Sequence, residues 1–319
     1  MTGFPEAPEY TGSMNPTSIE IRPEFDASAA SLLLRRLSRH PQPPWLHTEV
    51  ASRMVQRLPL IRLQPGHVIQ WWAGLGASSE FLAKAYPRAR QTEVEPSPEW
   101  LSRSQALQPA WWRRLPWVGR EQQVLGEADL QTLPNAHLIW ANMMLHWVAD
   151  PACLMTSWHQ MLATDGFLMF SCLGPDTLRE LKALYAAKGW GSSHLPFLDM
   201  HDLGDMLVHA GFADPVMDQE CLSLTWAEPE ALLSDLRAWG ANLGQQRFPG
   251  LRTRGWHQQL CQALRELRRP DNGRISITFE LVYGHAFKAA PKAPVAPETR
   301  ISVRDMKAMV QHSRTTKSS

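Results

Sequence analysis

The stretch Val68-Ile69-Gln70-Trp71-Trp72-Ala73-Gly74-Leu75-Gly76-Ala77-Ser78-Ser79 decides the fold. An apolar strand entry runs into a glycine-bearing turn, and small polar residues then open a helix. Strand, turn and helix in this order make a grip for a nucleotide-type cofactor. Glycine lets the backbone approach the ligand, and the helix N-terminus presents N–H groups that no helical carbonyl uses. The turn also carries Trp71 and Trp72. A Trp side chain encloses roughly 150–250 Å² when buried, so each must enter the core, the ligand space or solvent.

Downstream of this turn the chain alternates. Helix is expected over 79–86, strand over 90–95, helix over 98–107, strand over 121–126 and 136–142, helix over 151–162 and strand over 167–172. Strands alternating with helices predict an α/β fold, a doubly wound Rossmann-like sheet that is mostly parallel with helices on both faces. Ligands of such sheets bind beyond the strand C-terminal ends, so the loops at 70–78, 95–98, 126–130 and 142–148 should share one mouth. Helical patterns follow at 176–187, 200–211, 230–243 and 256–267, with a strand-like run at 216–226 between them. Period-two alternation over 274–287 reads as a last strand at the sheet edge or in a hairpin.

Outside this body, residues 1–20 are rich in Pro, Gly and Thr and read as a disordered N-terminus. Residues 21–287 read as one domain, with cap helices in 21–60 ahead of the first strand and helical insertions over 175–270 on the substrate side. Residues 288–319 read as a Pro/Ala linker and a basic tail, in which 301–311 has a weak amphipathic pattern.

The 319 residues carry 32 Lys and Arg against 31 Asp and Glu, for a net charge of +1. That balance gives no reason to expect nucleic acid or an anionic membrane as partner. Cys153, Cys172, Cys221 and Cys261 form no C-x-x-C pair and sit in apolar runs. They read as buried reduced thiols of a cytoplasmic protein, with no metal site. No apolar stretch is long enough to span a bilayer.

Several runs carry a more specific resemblance: Leu138-Ile139-Trp140-Ala141-Asn142-Met143-Met144-Leu145-His146-Trp147, Phe170-Ser171-Cys172-Leu173-Gly174-Pro175-Asp176-Thr177-Leu178-Arg179-Glu180-Leu181, Asp199-Met200-His201-Asp202-Leu203-Gly204-Asp205-Met206-Leu207 and Val282-Tyr283-Gly284-His285-Ala286. Through them the chain resembles the class I S-adenosylmethionine-dependent methyltransferases. More narrowly, it is similar to the BioC group, the malonyl-[acyl-carrier protein] O-methyltransferases of biotin synthesis. The resemblance runs from about Phe25 to Phe287 and implies a last strand antiparallel to the rest. It also implies S-adenosylmethionine as cofactor and the free carboxylate of an acyl-carrier protein thioester as substrate.

Position by position, the resemblance implies cofactor contacts at Gln70, Gly74, Gly76, Glu95, Glu127, Ala128 and Asn142. Gln70 stands where the family has an acid, and Trp72 where it has the first of three glycines. Glu95 ends the second strand, where a carboxylate can accept both ribose hydroxyls, and Glu127-Ala128 flanks the adenine. Asn142, His146 and Arg179 are the candidate catalytic residues. Asn142 and His146 follow the fourth strand, and Arg179 is a candidate charge for the substrate's free acid.

Other readings remain open at this stage. Replacing the family's acid by Gln70 removes a charged partner worth roughly 1.5–3 kcal/mol, and Trp72 could fill the cofactor space. A degraded homologue acting as a binding or assembly protein therefore stands beside the active enzyme. A nearby branch of the family implies a third reading, protein-arginine hydroxylation. His146 and His201 also read as structural hydrogen-bonders, and Tyr283 and His285 as packing. The run Trp111-Trp112-Arg113-Arg114 with Trp117 reads as an amphipathic segment.

Overall fold

A computed structural model describes residues 24–107, 122–127, 129, 135–248 and 250–290. The expectations for residues 1–20, the Trp111–Trp117 run, Ala128 and the tail beyond 290 lie outside these residues.

Seven strands form one sheet: β1 (His67–Trp71), β2 (Arg90–Glu95), β3 (Gln122–Gly126), β4 (Ala136–Ala141), β5 (Leu162–Leu173), β6 (Ala213–Trp226) and β7 (Ile275–Phe287). Their order is β3-β2-β1-β4-β5-β7-β6. The pairs among β1 to β5 are parallel, while β7 runs antiparallel to both β5 and β6. Strand order reverses between β1 and β4, so the mouth expected from the alternation lies above these two strands.

Parallel strands covered on both faces are apolar on both faces. Along β4, Leu138 and Trp140 enter one core cluster while Ile139 and Ala141 enter the other. Along β1, Val68 faces the first cluster, and Ile69 and Trp71 the second. At the antiparallel seam Phe170 lies opposite Gly284. A Cβ on Gly284 would stand 2.4 Å from the Phe170 ring, so only glycine admits that ring.

Ten α-helices among the described residues complete the layers. Two precede the sheet, α1 (Ala27–Leu37) and α2 (Trp45–Arg57). Asp26 caps α1 by accepting from the Ala29 N–H at 2.9 Å, and its own N–H reaches Leu243 O at 2.8 Å. The one-turn α3 (Ala73–Gly76), then α4 (Ser79–Ala85), α5 (Pro98–Leu107) and α6 (Pro151–Met161), occupy the crossovers. Beyond β5 come α7 (Arg179–Lys188), α8 (Met200–His209), α9 (Pro229–Trp239) and α10 (Arg254–Glu266). The helix expected over 230–243 stops at Trp239, and residues 240–243 are irregular. Of the four cysteines expected to be buried, Cys172 and Cys261 are, but Cys153 and Cys221 are exposed.

Candidate active site

The turn after β1 takes a path that the glycines alone did not reveal. Trp72 has φ 52 and Ala77 φ 53, both left-handed, whereas Gly74 and Gly76 have ordinary backbone angles. A left-handed non-glycine residue is disfavoured by roughly 1–2 kcal/mol. The chain thus keeps a glycine-type conformation at Trp72 although its side chain is the largest available. The ring is 5% exposed, and its Nε1 donates to Glu127 Oε1 at 2.6 Å. Trp71 Nε1 donates to the same oxygen at 3.0 Å.

Glu95 ends β2 directly beside this turn. Its Oε1 accepts from the Gly74 N–H at 2.9 Å and from Ser104 Oγ at 2.7 Å. Its Oε2 is buried and has no hydrogen-bond partner among the described residues. Complete burial pushes the carboxyl up to about 7 against the pull of those two donors. Trp100 packs beside it, at 3.0 Å from the position of a Gly74 Cβ, and donates its Nε1 to Leu34 O at 2.9 Å. Helix α1 is thereby tied over the turn.

Three of the expected site residues hold the frame. Gln70 lies under the turn, donating to Gln91 Oε1 at 3.2 Å and accepting from Ser79 Oγ at 3.1 Å. Asn142 donates to both His47 O and Gly76 O and accepts from Ser171 Oγ at 2.7 Å. The carbonyl of Gly76 therefore serves Asn142. His47 in turn contacts Leu75 O through Nδ1 at 3.0 Å, and burial holds its pKa down at about 4. A neutral imidazole donating to that carbonyl fits both facts.

Two chambers open at this mouth. The first, about 380 Å³, is bounded by Trp71, Trp72, Pro96, Glu127, Trp147 and, from α1, Leu34. Trp72 thus forms a wall and leaves the space beside it open. The second, about 140 Å³, is apolar and bounded by His146, Trp147, His194, Phe197, Trp239 and Phe279. Trp147 is a wall of both.

His146 is buried in the second chamber, its ring against Trp147 at 5.0 Å and Phe197 at 5.8 Å. Arg179 borders neither chamber. It is 58% exposed and pairs with Asp176 at 3.2 Å and Glu180 at 3.4 Å. The structure therefore places Glu127 on the first chamber and His146 on the second, and holds Glu95 and Gly74 together in the turn behind the chamber walls. It uses Gln70, Gly76 and Asn142 beneath that turn and leaves Arg179 outside. His201 is exposed at the start of α8, held by Asp199.

Trp147, His194 and Phe197 are candidate site residues that sequence reasoning did not single out. Trp147 lay inside a quoted motif, where its length and position after β4 were available signals. His194 and Phe197 lie in an irregular connection with no periodicity to mark them.

A sheet with this strand order and an antiparallel β7, carrying a cofactor-type turn below two adjoining chambers, defines a class I methyltransferase. The methyltransferase domain family matches residues 73–170. The malonyl-[acyl-carrier protein] O-methyltransferase of Gallionella capsiferriformans is 39% identical over 252 residues, covering 77% of this chain and 85% of that protein. The one of Laribacter hongkongensis is 39% identical over 280 residues, covering 85% and 90%. The chain belongs to the malonyl-[acyl-carrier protein] O-methyltransferase family. Among solved structures, the YcgJ protein of Bacillus subtilis shares the fold with a TM-score of 0.51 at 12% identity, covering 76% of this chain and 99% of that one.

S-adenosylmethionine is the methyl donor of this class, and the first chamber fits it. Trp72 and Pro96 present flat apolar surface to it, and Glu127 brings carboxyl oxygens to its wall. Next to Pro96, the buried Oε2 of Glu95 lies just outside this lining with a free acceptor for ribose hydroxyls.

Proposed function

We propose that the protein methylates the free carboxylate of a malonyl thioester carried by an acyl-carrier protein, using S-adenosylmethionine held in the first chamber. The observation that carries this reading is Trp147, whose ring separates a chamber suited to the cofactor from an apolar chamber suited to an acyl group. S-adenosylmethionine supplies an electrophilic methyl group, and its transfer to a carboxylate oxygen needs alignment and dryness more than a general base.

The residues present supply those two conditions. Trp71, Trp72 and Trp147 wall the first chamber, and all three are buried. Helix α1 covers it through the Trp100–Leu34 bond. Asn142 fixes α2, the turn and β5 to one another, which holds the chambers in register. Among the described residues, no helix is long and apolar enough to cross a membrane and no His, Cys, Asp and Glu group could hold a metal.

The test is incubation of the full chain with S-adenosylmethionine and a malonyl-acyl-carrier protein. The expected product is the methyl ester, seen by mass spectrometry as a gain of one CH₂. A second reading, a non-catalytic binding protein, draws on the internal use of Gln70 and Asn142. It would be favoured by the absence of product together with the absence of saturable cofactor binding.

A further inference from the structure

The second chamber has a chemical peculiarity. Its lining contains no lysine, arginine, aspartate or glutamate. A substrate carboxylate entering it meets apolar walls and a few neutral polar groups. Of these, Asn242 is already committed: its Nδ2 donates to Ser192 O at 2.8 Å, and its Oδ1 accepts from the Gly244 N–H at 2.9 Å. Those bonds anchor the connection between α7 and α8, and Ser192 Oγ donates onward to His194 O at 2.7 Å. The connection is thus built to present the next side chains in fixed positions.

His194 is the group so presented. Its ring stacks on Phe197 with centroids 5.2 Å apart and planes 19° apart, and Phe197 also meets the ring of His146. Its Nδ1 lies 2.8 Å from Ser193 Oγ. With Ser193 as donor to Nδ1, the ring proton sits on Nε2, which becomes a neutral hydrogen-bond donor. Burial, reinforced by Lys182, holds the imidazole pKa down at about 4, so the ring remains neutral around pH 7.

We propose that His194, set by Ser193 and Phe197, is the hydrogen-bond donor that orients the substrate's carboxylate in this chamber, in the role the sequence suggested for an arginine. The inference rests on the reading of a malonyl thioester as substrate. Its physical sense is differential. A guanidinium would bind the carboxylate tightly in the ground state and draw off the electron pair that must attack carbon. A neutral donor orients one oxygen and leaves the other reactive. After transfer the ester is neutral and no longer accepts a charge-assisted bond.

Calorimetry tests this with the full chain saturated by S-adenosylhomocysteine, so that no turnover occurs, and with malonyl-pantetheine and acetyl-pantetheine as probes. His194→Phe keeps the stack and removes the N–H. It should weaken malonyl-pantetheine about 10- to 100-fold, the range for a lost charge-assisted bond, and move acetyl-pantetheine less than about twofold. His194→Gln restores an N–H and should stay within about fivefold of wild type for both probes.

Unchanged malonyl-pantetheine affinity in His194→Phe overturns the proposal, as does an equal loss for both probes. Either result leaves the methyltransferase reading intact if the wild-type chain forms the ester. A wild-type chain that neither binds malonyl-pantetheine nor forms the ester overturns both.

Discussion

The indole N–H of Trp72 donates to Glu127 at 2.6 Å, joining the turn after β1 to the turn after β3 across the mouth of the sheet. The backbone at Trp72 is left-handed, with φ 52 and ψ 52. Side chain and backbone therefore pull in opposite directions, and two substitutions separate them. Trp72→Ala should lower stability by about 3–5 kcal/mol through loss of buried aromatic surface. Trp72→Gly loses the same surface but relieves the left-handed strain, so it should be more stable than Trp72→Ala by about 1 kcal/mol. Urea unfolding of the two variants measures the difference, and the reverse order would contradict the assignment.

Glu95 gives a pH signature. Its folded pKa is raised from 4.5 to about 7 by burial. An acid shifted upward keeps its proton in the folded state while the unfolded chain has released it. Its penalty to stability is therefore absent below pH 4.5, grows as pH rises through 7, and is constant above. The full swing is about 3 kcal/mol. Glu95→Gln should remove this slope, so the variant gains on wild type between pH 5 and 7.5. Parallel stability curves over that window would count against a protonated Glu95.

The same residue links folding to ligand. Ribose hydroxyls donating to Oε2 favour the ionised carboxyl. Binding of S-adenosylhomocysteine at pH 6.5 should therefore release protons. Calorimetry in buffers of different ionisation enthalpy reads that number directly, and it should fall to near zero in Glu95→Gln.

Much of this arrangement was legible in the sequence, and the parts that were not have specific causes. The parallel strands announced themselves because Val68–Trp71 and Leu138–Ala141 are buried on both faces. The antiparallel β7 entered through resemblance, whereas the period-two run over 274–287 was expected at the sheet edge or in a hairpin. β7 instead lies between β5 and β6, is buried along most of its length, and is joined to β6 through α9 and α10. The roles of Asn142 and Gln70 could not be read. Position at the mouth fixes where their Cα atoms stand, while the partners of their side chains lie on other elements: α2 and β5 for Asn142, β2 and α4 for Gln70. Arg179 misled for a related reason. Its motif places it near the end of β5, but after the left-handed Leu178 (φ 59) helix α7 gives Leu181 to the second chamber and leaves Arg179 exposed.

Two further substitutions follow from those positions. Asn142→Ala removes a donor to two buried carbonyls and an acceptor for Ser171. Leaving such groups unpaired should lower stability by about 3–5 kcal/mol and loosen α2. Amide hydrogen exchange should show the opening at residues 45–57, and unchanged protection there would contradict the role as a clamp.

Arg179→Ala, by contrast, removes two ion pairs made by an exposed side chain. It should change stability by less than about 1 kcal/mol. Methyl transfer should stay within about twofold of wild type, because neither chamber touches this side chain. A loss of ten-fold or more in kcat/KM would return Arg179 to the substrate site.

The central claim is that the chamber beside Trp72 receives the cofactor while Trp147 divides it from the substrate. A crystal structure of the full chain with S-adenosylhomocysteine tests this most directly. The account expects the ribose hydroxyls on Glu95 Oε2, the adenosine against Trp72 and Pro96, and the sulfur facing Trp147. A crystal grown at saturating ligand in which Glu95 Oε2 still lacks a partner and the chamber holds only solvent would contradict it.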